Sequence, residues 1–182
     1  MSDLGQQGLF DITRLLLQQP DLAALSETLT RLVQQSALAD EAAIILWNAG
    51  NHRAARYACD EAGQPVSYED ETVLAHGPVR RLLSRPDALH CDHETFADTW
   101  PQLIRSGLYR PFGYYSLLPL AADGRIFGGC EFLRRDNRPW SEKEFQRLHT
   151  FTQLVAVVTE QIQSRVSNNV DYDLLCHERD NF

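Results

Sequence analysis

The chain has 182 residues, of which 43% are hydrophobic and 23% are charged, which is enough for one globular domain with its own core. The formal net charge of −8 argues against nucleic-acid binding, because phosphate backbones are held by clustered Lys and Arg side chains. The apolar run at 42–47 is too short to cross a bilayer, and no signal-peptide core follows Met1. We therefore expect a cytoplasmic protein without direct nucleic-acid or membrane contact.

Apolar residues at helical spacing predict two amphipathic helices at the start of the chain, separated at Pro20-Asp21. The first helix carries Leu4, Leu9, Ile12, Leu15 and Leu16, and the second carries Leu22, Leu25, Leu29, Leu32 and Val33. The apolar run at 42–47, the turn residues at 48–51 and the return at 53–59 then indicate a first β-hairpin.

The middle of the chain is less regular. Residues 69–85 are predicted to be helical, with an interruption near Gly77-Pro78. A short strand is expected at 89–91, and 94–106 is expected to be irregular or partly helical because Pro101 limits any single helix.

The last third predicts a hairpin followed by a long helix. Asp123-Gly124 separates two apolar runs, and both residues tolerate the positive φ of a tight turn. Ser141 and Glu144 form a capping box, with Trp140 and Phe145 placed as a hydrophobic staple. The closing helix carries an apolar stripe of Phe145, Leu148, Phe151, Val155, Val158, Ile162 and Val166. Helices and hairpins in this order favour an α+β fold with an antiparallel sheet.

This closing pattern resembles the GAF domain family of small-molecule sensory modules. Three segments, SDLGQQGLFDI at 2–12, EDETVLAHGPVR at 69–80 and VDYDLLC at 170–176, resemble the first, N-terminal GAF domain of formate-responsive transcriptional activators. The resemblance implies a central antiparallel sheet, with the N- and C-terminal helices on one face and crossover helices and loops over a ligand pocket on the other. It also implies a GAF domain at 1–168 and the start of a linker to the next domain at 169–182.

The same resemblance implies a non-catalytic regulatory domain that binds formate or another small carboxylate. A ligand-free dimerisation or interaction module is the alternative, and a thiol- or metal-dependent enzyme or an iron-based sensor is a third. The chain has no phosphate-binding G-x-x-x-x-G-K-[ST] loop, no G-x-S-x-G elbow and no H-E-x-x-H helix. We therefore expect no enzymatic activity and no cofactor.

His76 and Arg80 are the first candidates for ligand binding, since they lie one helical turn apart beside the apolar side of their helix. The helical wheel turns Arg80 inward and Arg81 outward. An inward Arg80 would present a planar fork to a carboxylate, with a further donor from His76. The alternative is an ion pair of Arg80 with Glu71, Glu131 or another acid.

Four aromatic residues fall within seven positions: Tyr109, Phe112, Tyr114 and Tyr115. They are either core residues or a wall that shrinks the pocket, with Tyr114 and Tyr115 as ligand contacts. Gly128-Gly129 allows close backbone approach in the facing strand. Either Cys130 or Glu131 then faces the pocket, depending on the strand register.

The group His90-Cys91-Asp92-His93-Glu94 is dense in potential metal ligands, but an extended backbone would divide it between two faces. We expect a solvated loop and no metal. Cys59, Cys91, Cys130 and Cys176 are far apart in sequence, so free thiols are expected, with Cys130 a buried thiol and not a nucleophile. A homodimer through the terminal helices is expected, because their apolar stripes are wide.

Overall fold

The computed structural model describes the backbone of residues 6–179 and the side chains of 8–69 and 72–168. Six antiparallel strands form one sheet in the order β3-β2-β1-β6-β5-β4. The strands are β1 Glu41–Asn48, β2 Arg53–Cys59, β3 Pro65–Glu71, β4 Leu89–Asp92, β5 Tyr114–Ala122 and β6 Arg125–Arg134. The helices are α1 Gln6–Leu17, α2 Leu22–Gln35, α3 Thr72–Ala75, α4 Pro78–Ser84, α5 His93–Thr99, α6 Pro101–Arg105 and α7 Glu142–Arg179.

One face of the sheet, the terminal-helix face, is covered by α1, α2 and α7. Asp21 caps α2 by accepting a hydrogen bond from the backbone N–H of Ala24 at 2.8 Å, which fixes where the helix begins. The α2 and α7 stripes bury Leu29 and Phe151 in one cluster with Phe132 of β6. The predicted amphipathic helices thus form, although Leu4 lies outside the described residues.

The opposite face, the crossover face, is covered by the short helices α3 to α6 and the loop before β5. Its buried cluster includes Leu74 of α3, Leu82 of α4, Phe96 of α5 and Leu103 of α6. The arrangement expected from the resemblance, with terminal helices on one side and crossover elements on the other, is confirmed.

The predicted C-terminal hairpin is present. Asp123 and Gly124 have φ values of 49° and 73°, as the turn between two antiparallel strands requires. At the start of α7, the Ser141 N–H donates to Glu144 Oε2 at 2.8 Å, while the Glu144 N–H reaches Ser141 Oγ at 3.4 Å. The capping box is therefore confirmed. The close approach predicted near Gly128 is also present, since a Cβ there would lie 2.2 Å from the Ile45 carbonyl oxygen.

Strand β3 was not predicted, and the helix expected over 69–85 begins only at Thr72. Residues 69–71 extend because β3 pairs with β2, for example Ser67 with Tyr57. As predicted, Pro101 limits any single helix over 94–106, since α5 ends at Thr99 and Pro101 begins the separate helix α6. A proline costs no hydrogen bond at this first helical position. The backbone of α7 continues through Asn168 to Arg179, and the proposed domain boundary after 168 stays a prediction.

Candidate functional site

Glu131 lies on the crossover face of β6, and Cys130 lies on the terminal-helix face. Strand pairing fixes this register: Glu131 is opposite Ala43 on β1 and opposite Leu117 on β5. Side chains alternate between the faces of a strand, so Glu131 and Leu117 point to the same side. The open question of register is resolved in favour of Glu131.

The Glu131 carboxylate is fully buried, and three donors converge on its two oxygens. Arg56 Nε donates to Oε2 at 2.7 Å. The hydroxyls of Tyr109 and Tyr115 donate to Oε1 at 2.5 Å and 2.7 Å. Charge-assisted bonds of this length are the strongest that proteins make, and they offset part of the cost of removing the carboxylate from water.

A second carboxylate, Glu41, extends the same arrangement toward the surface. Its Oε1 accepts from Arg56 Nη2 at 3.1 Å, and its Oε2 accepts from Arg110 Nη2 at 2.7 Å and Nε at 3.0 Å. Arg56 Nη1 donates to the Leu108 carbonyl at 3.0 Å. We call this set the carboxylate–arginine network, and it comprises Glu41, Arg56, Tyr109, Arg110, Tyr115 and Glu131.

The network holds its donors in their protonated forms. Burial and the negative charge of Glu131 raise the pKa of Tyr109 and of Tyr115 well above the ordinary value, so both stay neutral donors. Burial alone would lower the pKa of Arg56, but the carboxylates of Glu131 and Glu41 more than reverse this, and the pKa is raised. The two guanidinium groups and the two carboxylates then balance, and the network carries no net formal charge.

An aromatic wall surrounds the buried end of the network. Phe96 packs against Tyr115, Phe112 and Tyr109 with ring centroids 4.7, 5.2 and 5.4 Å apart. The Arg56 guanidinium lies over the Tyr109 ring, with its carbon 4.4 Å from the centroid. Three of the four expected residues, Tyr109, Phe112 and Tyr115, are thus buried core residues packed with Phe96. This aromatic wall fills the space around Glu131, and its role in shrinking a ligand pocket stays a prediction.

A cleft of about 550 Å³ opens beside the outer end of the network. It is lined by Asp40, Glu41, Glu61, Arg110, Pro111, Phe112, Leu133, Arg134 and Arg135. The Arg110 side chain is 26% exposed and Glu41 is 8% exposed, whereas Arg56 is 2% exposed. Glu41 and Arg110 thus connect solvent in the cleft with the buried charges behind them.

His76 and Arg80 do not enter this arrangement. Both are exposed, and Arg80 Nη1 lies 3.2 Å from His76 Nδ1 on the outer side of the helices. The expected inward orientation of Arg80 is wrong: α4 buries Val79 and Leu82 against the sheet, and that packing turns Arg80 to solvent. The alternative of an Arg80 pair with Glu131 is wrong as well, since the donors to Glu131 are Arg56 and the two tyrosines.

Tyr114 and Cys130 also lie away from Glu131. Tyr114 packs against Trp140 with ring centroids 5.8 Å apart. Cys130 is fully buried on the terminal-helix face, and burial raises the pKa of its thiol, which disfavours the reactive thiolate. Of the candidate ligand residues, the structure brings together Tyr115 and Glu131.

The solvated loop expected at 90–94 is wrong: 90–92 belong to β4, which pairs with β5, and α5 begins at His93. As expected for an extended backbone, the side chains of 90–92 divide between two faces. Cys91 is buried, and the Ser116 hydroxyl contacts His90 Nδ1 at 2.8 Å. Asp92 caps α5 through the Thr95 N–H at 2.8 Å. Among the described residues, no group of three or more His, Cys, Asp or Glu side chains is placed to hold a metal.

Arg56, the centre of the network, was not among the sequence candidates. The available signal was strand alternation: Arg56 stands between Ala54 and Ala58 at every second position of β2, and both alanines are buried. A large cation between two small buried residues indicates an inward side chain that needs an acidic partner. Its partner is 75 positions away, so spacing alone could not identify it.

The chain belongs to the GAF domain family, whose model matches residues 21–158. Over all 182 residues it is 74% identical to the formate hydrogenlyase transcriptional activator of Salmonella typhimurium and 72% identical to that of Escherichia coli K12. The chain spans 26% of the length of these curated relatives. The resemblance seen in the sequence is confirmed.

Solved structures support the same fold at low sequence identity. The GAF domain of an Acinetobacter phosphoenolpyruvate-protein phosphotransferase aligns with a TM-score of 0.65 at 16% identity, covering 90% of this chain and 97% of that one. The free methionine-R-sulfoxide reductase of Neisseria meningitidis aligns with a TM-score of 0.61 at 12% identity, covering 91% and 95%. At these identities the comparison establishes the fold alone.

Across residues 6–179, no helix combines the length and apolar character needed to cross a membrane.

Proposed function

We propose that this GAF domain is the sensory part of a transcriptional activator that controls formate hydrogenlyase, and that it responds to a small carboxylate such as formate. The role in a transcriptional activator is supported by the names of the relatives, which are 74% and 72% identical to this chain over its whole length. The activator's other functions would lie in the remaining three quarters of such a protein.

The response to a small carboxylate is supported by one observation: Arg56, Tyr109 and Tyr115 converge on a single carboxylate inside the domain. A guanidinium and two neutral hydroxyls are suited to a carboxylate, and their burial strengthens each bond relative to water. Formate presents the same pair of oxygens as the Glu131 side chain. The aromatic wall limits any ligand that shares this space to a few atoms.

Arg110 is the group through which we expect formate to enter. It is the most exposed arginine of the network, it lines the cleft, and its partner Glu41 bridges it to Arg56. The exposed pair His76 and Arg80 offers a second place for a carboxylate, but water competes strongly for charges at an open surface.

A ligand-free interaction module is the second candidate function. It is favoured by the filled crossover face and by large apolar side chains exposed on the terminal helices, among them Phe10 at 68% and Val166 at 59%. In this alternative the domain acts as a homodimer through α1 and α7, and its network only stabilises the fold.

Calorimetric titration of the 182-residue chain with sodium formate, against sodium chloride at equal ionic strength, separates the two functions. The sensing proposal expects saturable binding that Arg110→Gln weakens at least tenfold and Arg80→Ala leaves unchanged. Loss of binding in the Arg80 variant alone would instead assign formate to the exposed pair. No saturable binding by the unaltered chain would favour the interaction module.

A further inference from the structure

We propose that Glu131 is a tethered ligand: its carboxylate occupies the position at which the crossover face binds a small monocarboxylate, and an external effector binds by exchange with it. This inference rests on the proposed sensing of a small carboxylate. The ligand has to displace the Glu131 carboxylate, and Glu131 is the residue that holds the domain in its unliganded form.

The contacts of Glu131 are those of a bound ligand. Both oxygens are used, Oε2 by Arg56 and Oε1 by Tyr109 and Tyr115, and the carboxylate is closed off from solvent. The donors come from three separate segments of the chain: β2, the loop before β5, and β5 itself. A free carboxylate of one or two carbons could make the same bonds, and only the two methylene groups of Glu131 tie the present one to β6.

The charge balance of the network requires exchange rather than addition. Its two carboxylates already balance Arg56 and Arg110. A third carboxylate would leave an uncompensated negative charge in a site that excludes water, which is strongly unfavourable. Arg56 Nε and the hydroxyls of Tyr109 and Tyr115 already donate to Glu131, so an anionic ligand can use these donors only when the Glu131 carboxylate gives them up. The charge stays balanced when the released carboxylate moves toward the cleft, where water solvates it.

Exchange also connects the site with the surface. Tyr109 and Arg110 are adjacent in the loop before β5, where Tyr109 bonds Glu131 and Arg110 bonds Glu41 at the cleft. After exchange the Tyr109 hydroxyl donates to the free ligand instead of to Glu131, so the loop loses this direct bond to β6. Ligand exchange can thus change the shape of the cleft.

The test removes the tethered carboxylate and supplies it from solution. Glu131→Ala deletes a group that corresponds to acetate. Thermal unfolding of this variant is followed in sodium acetate, sodium formate and sodium chloride at equal ionic strength. We expect acetate to raise the melting temperature by several degrees with saturation in the millimolar range, and to act more strongly than formate. In the unaltered chain the order should reverse, because the displaced Glu131 side chain still occupies part of the space and favours the smaller ligand.

Two variants serve as controls. Glu144 also accepts hydrogen bonds from two arginines, Arg134 at 2.7 Å and Arg138 at 3.1 Å, but it is 21% exposed, so Glu144→Ala should gain nothing specific from carboxylates. Adding Tyr115→Phe to Glu131→Ala removes one donor and should weaken the acetate effect at least threefold.

The outcomes distinguish this inference from the proposed function. If Glu131→Ala unfolds alone and folds in acetate, the tethered-ligand inference is strongly supported. If it shows no preference for carboxylate over chloride, or stays unfolded in both, the inference is overturned, while formate binding by the unaltered chain would still uphold the sensing function. Acetate rescue without formate binding by the unaltered chain would retain the site chemistry and reject the function.

Discussion

Arg56 Nε and Glu131 Oε2 form an ion pair at 2.7 Å, although strand β1 lies between the strands of the two residues. Arg56 on β2 is opposite Ile45 of β1, and Glu131 on β6 is opposite Ala43 of β1. Ala43 is fully buried and, as the partner of Glu131 in the pairing of β1 with β6, lies on the same face of the sheet. The pair therefore joins three central strands on the crossover face and depends on a correctly assembled sheet.

The first prediction concerns the stability of this pair. Arg56→Met should destabilise the chain by about 3–5 kcal/mol, because Glu131 is then left buried without its cation. The double variant Arg56→Met with Glu131→Leu should lose less than the sum of the two single variants, since neither charge remains unpaired. Urea unfolding measured by circular dichroism gives all three values.

Arg80→Ala is the matched control, because Arg80 is exposed and its guanidinium lies 3.2 Å from His76 Nδ1, away from Glu131. Its stability should change by no more than about 0.5 kcal/mol. If the losses of unfolding free energy in the two single variants add up to the loss in the double variant, positions 56 and 131 are not coupled. That result would contradict a net contribution of the ion pair to stability.

Most of the fold could be predicted from the sequence, because its signals are local. Asp123-Gly124 determines a turn, and Ser141 with Glu144 determines a helix start, within four residues of each other. Strand β3 escaped prediction because it forms only when paired with β2. Its sequence, PVSYEDE, has little apolar alternation of its own.

The site could be predicted only in part, because it depends, like β3, on contacts between residues that are far apart in the sequence. The aromatic density at 109–115 indicates Tyr115, and strand position leaves Cys130 and Glu131 as alternatives. Arg56 meets Glu131 through contacts that no spacing rule encodes. The helical wheel places Arg80 beside the apolar side of α4, but it does not show which flanking residues are buried. Val79 and Leu82 contact the sheet and leave Arg80 outside.

The second prediction concerns alkaline titration. The pKa values of Tyr109 and Tyr115 are raised in the folded state by burial and by Glu131. Their contribution to stability is therefore present below the unfolded pKa of about 10 and is lost as pH rises above it. Of the six tyrosines, these two should ionise only as the domain unfolds. Ultraviolet phenolate absorbance, followed together with circular dichroism, checks this.

In the double variant Tyr109→Phe with Tyr115→Phe, the phenolate absorbance that appears on unfolding should fall by the equivalent of two tyrosines. If both titrate near their ordinary pKa while the fold remains intact, the hydrogen bonds to Glu131 are weaker than the structure indicates.

The third prediction concerns acid and the start of α7. Burial alone would raise the pKa of Glu144, but hydrogen bonds from Arg138, Ser141 and Arg134 outweigh it and lower the pKa far below 4.5. The resulting stability is present above pH 4.5 and is lost as pH falls through the folded pKa. Glu144→Gln should destabilise the chain by about 1 kcal/mol at pH 7. The difference from the unaltered chain should shrink in urea titrations below pH 4.5. A difference that is constant from pH 7 to pH 3 would contradict this assignment.

The fourth prediction concerns self-association. Phe10 and Val157 are 68% and 52% exposed on α1 and α7, the paired helices of the terminal-helix face. If a second copy covers them, sedimentation of the unaltered chain shows a dimer, and Phe10→Glu with Val157→Glu shifts it to monomer. Leu83→Glu is the control, because Leu83 is 38% exposed on the crossover side. A monomer at all concentrations would exclude the dimer.

The last prediction concerns the strength and selectivity of formate binding. Formate has three non-hydrogen atoms, and a ceiling of about 1.5 kcal/mol per atom limits its binding to roughly 4.5 kcal/mol, a dissociation constant near the millimolar range. Exchange with Glu131 can only weaken this value. Acetate should bind the unaltered chain less well, because Phe96 and Phe112 leave no room for a methyl group beside Tyr115. Calorimetry gives both constants. Micromolar binding would point to a larger natural ligand, and equal binding of acetate would show that the aromatic wall does not select by size.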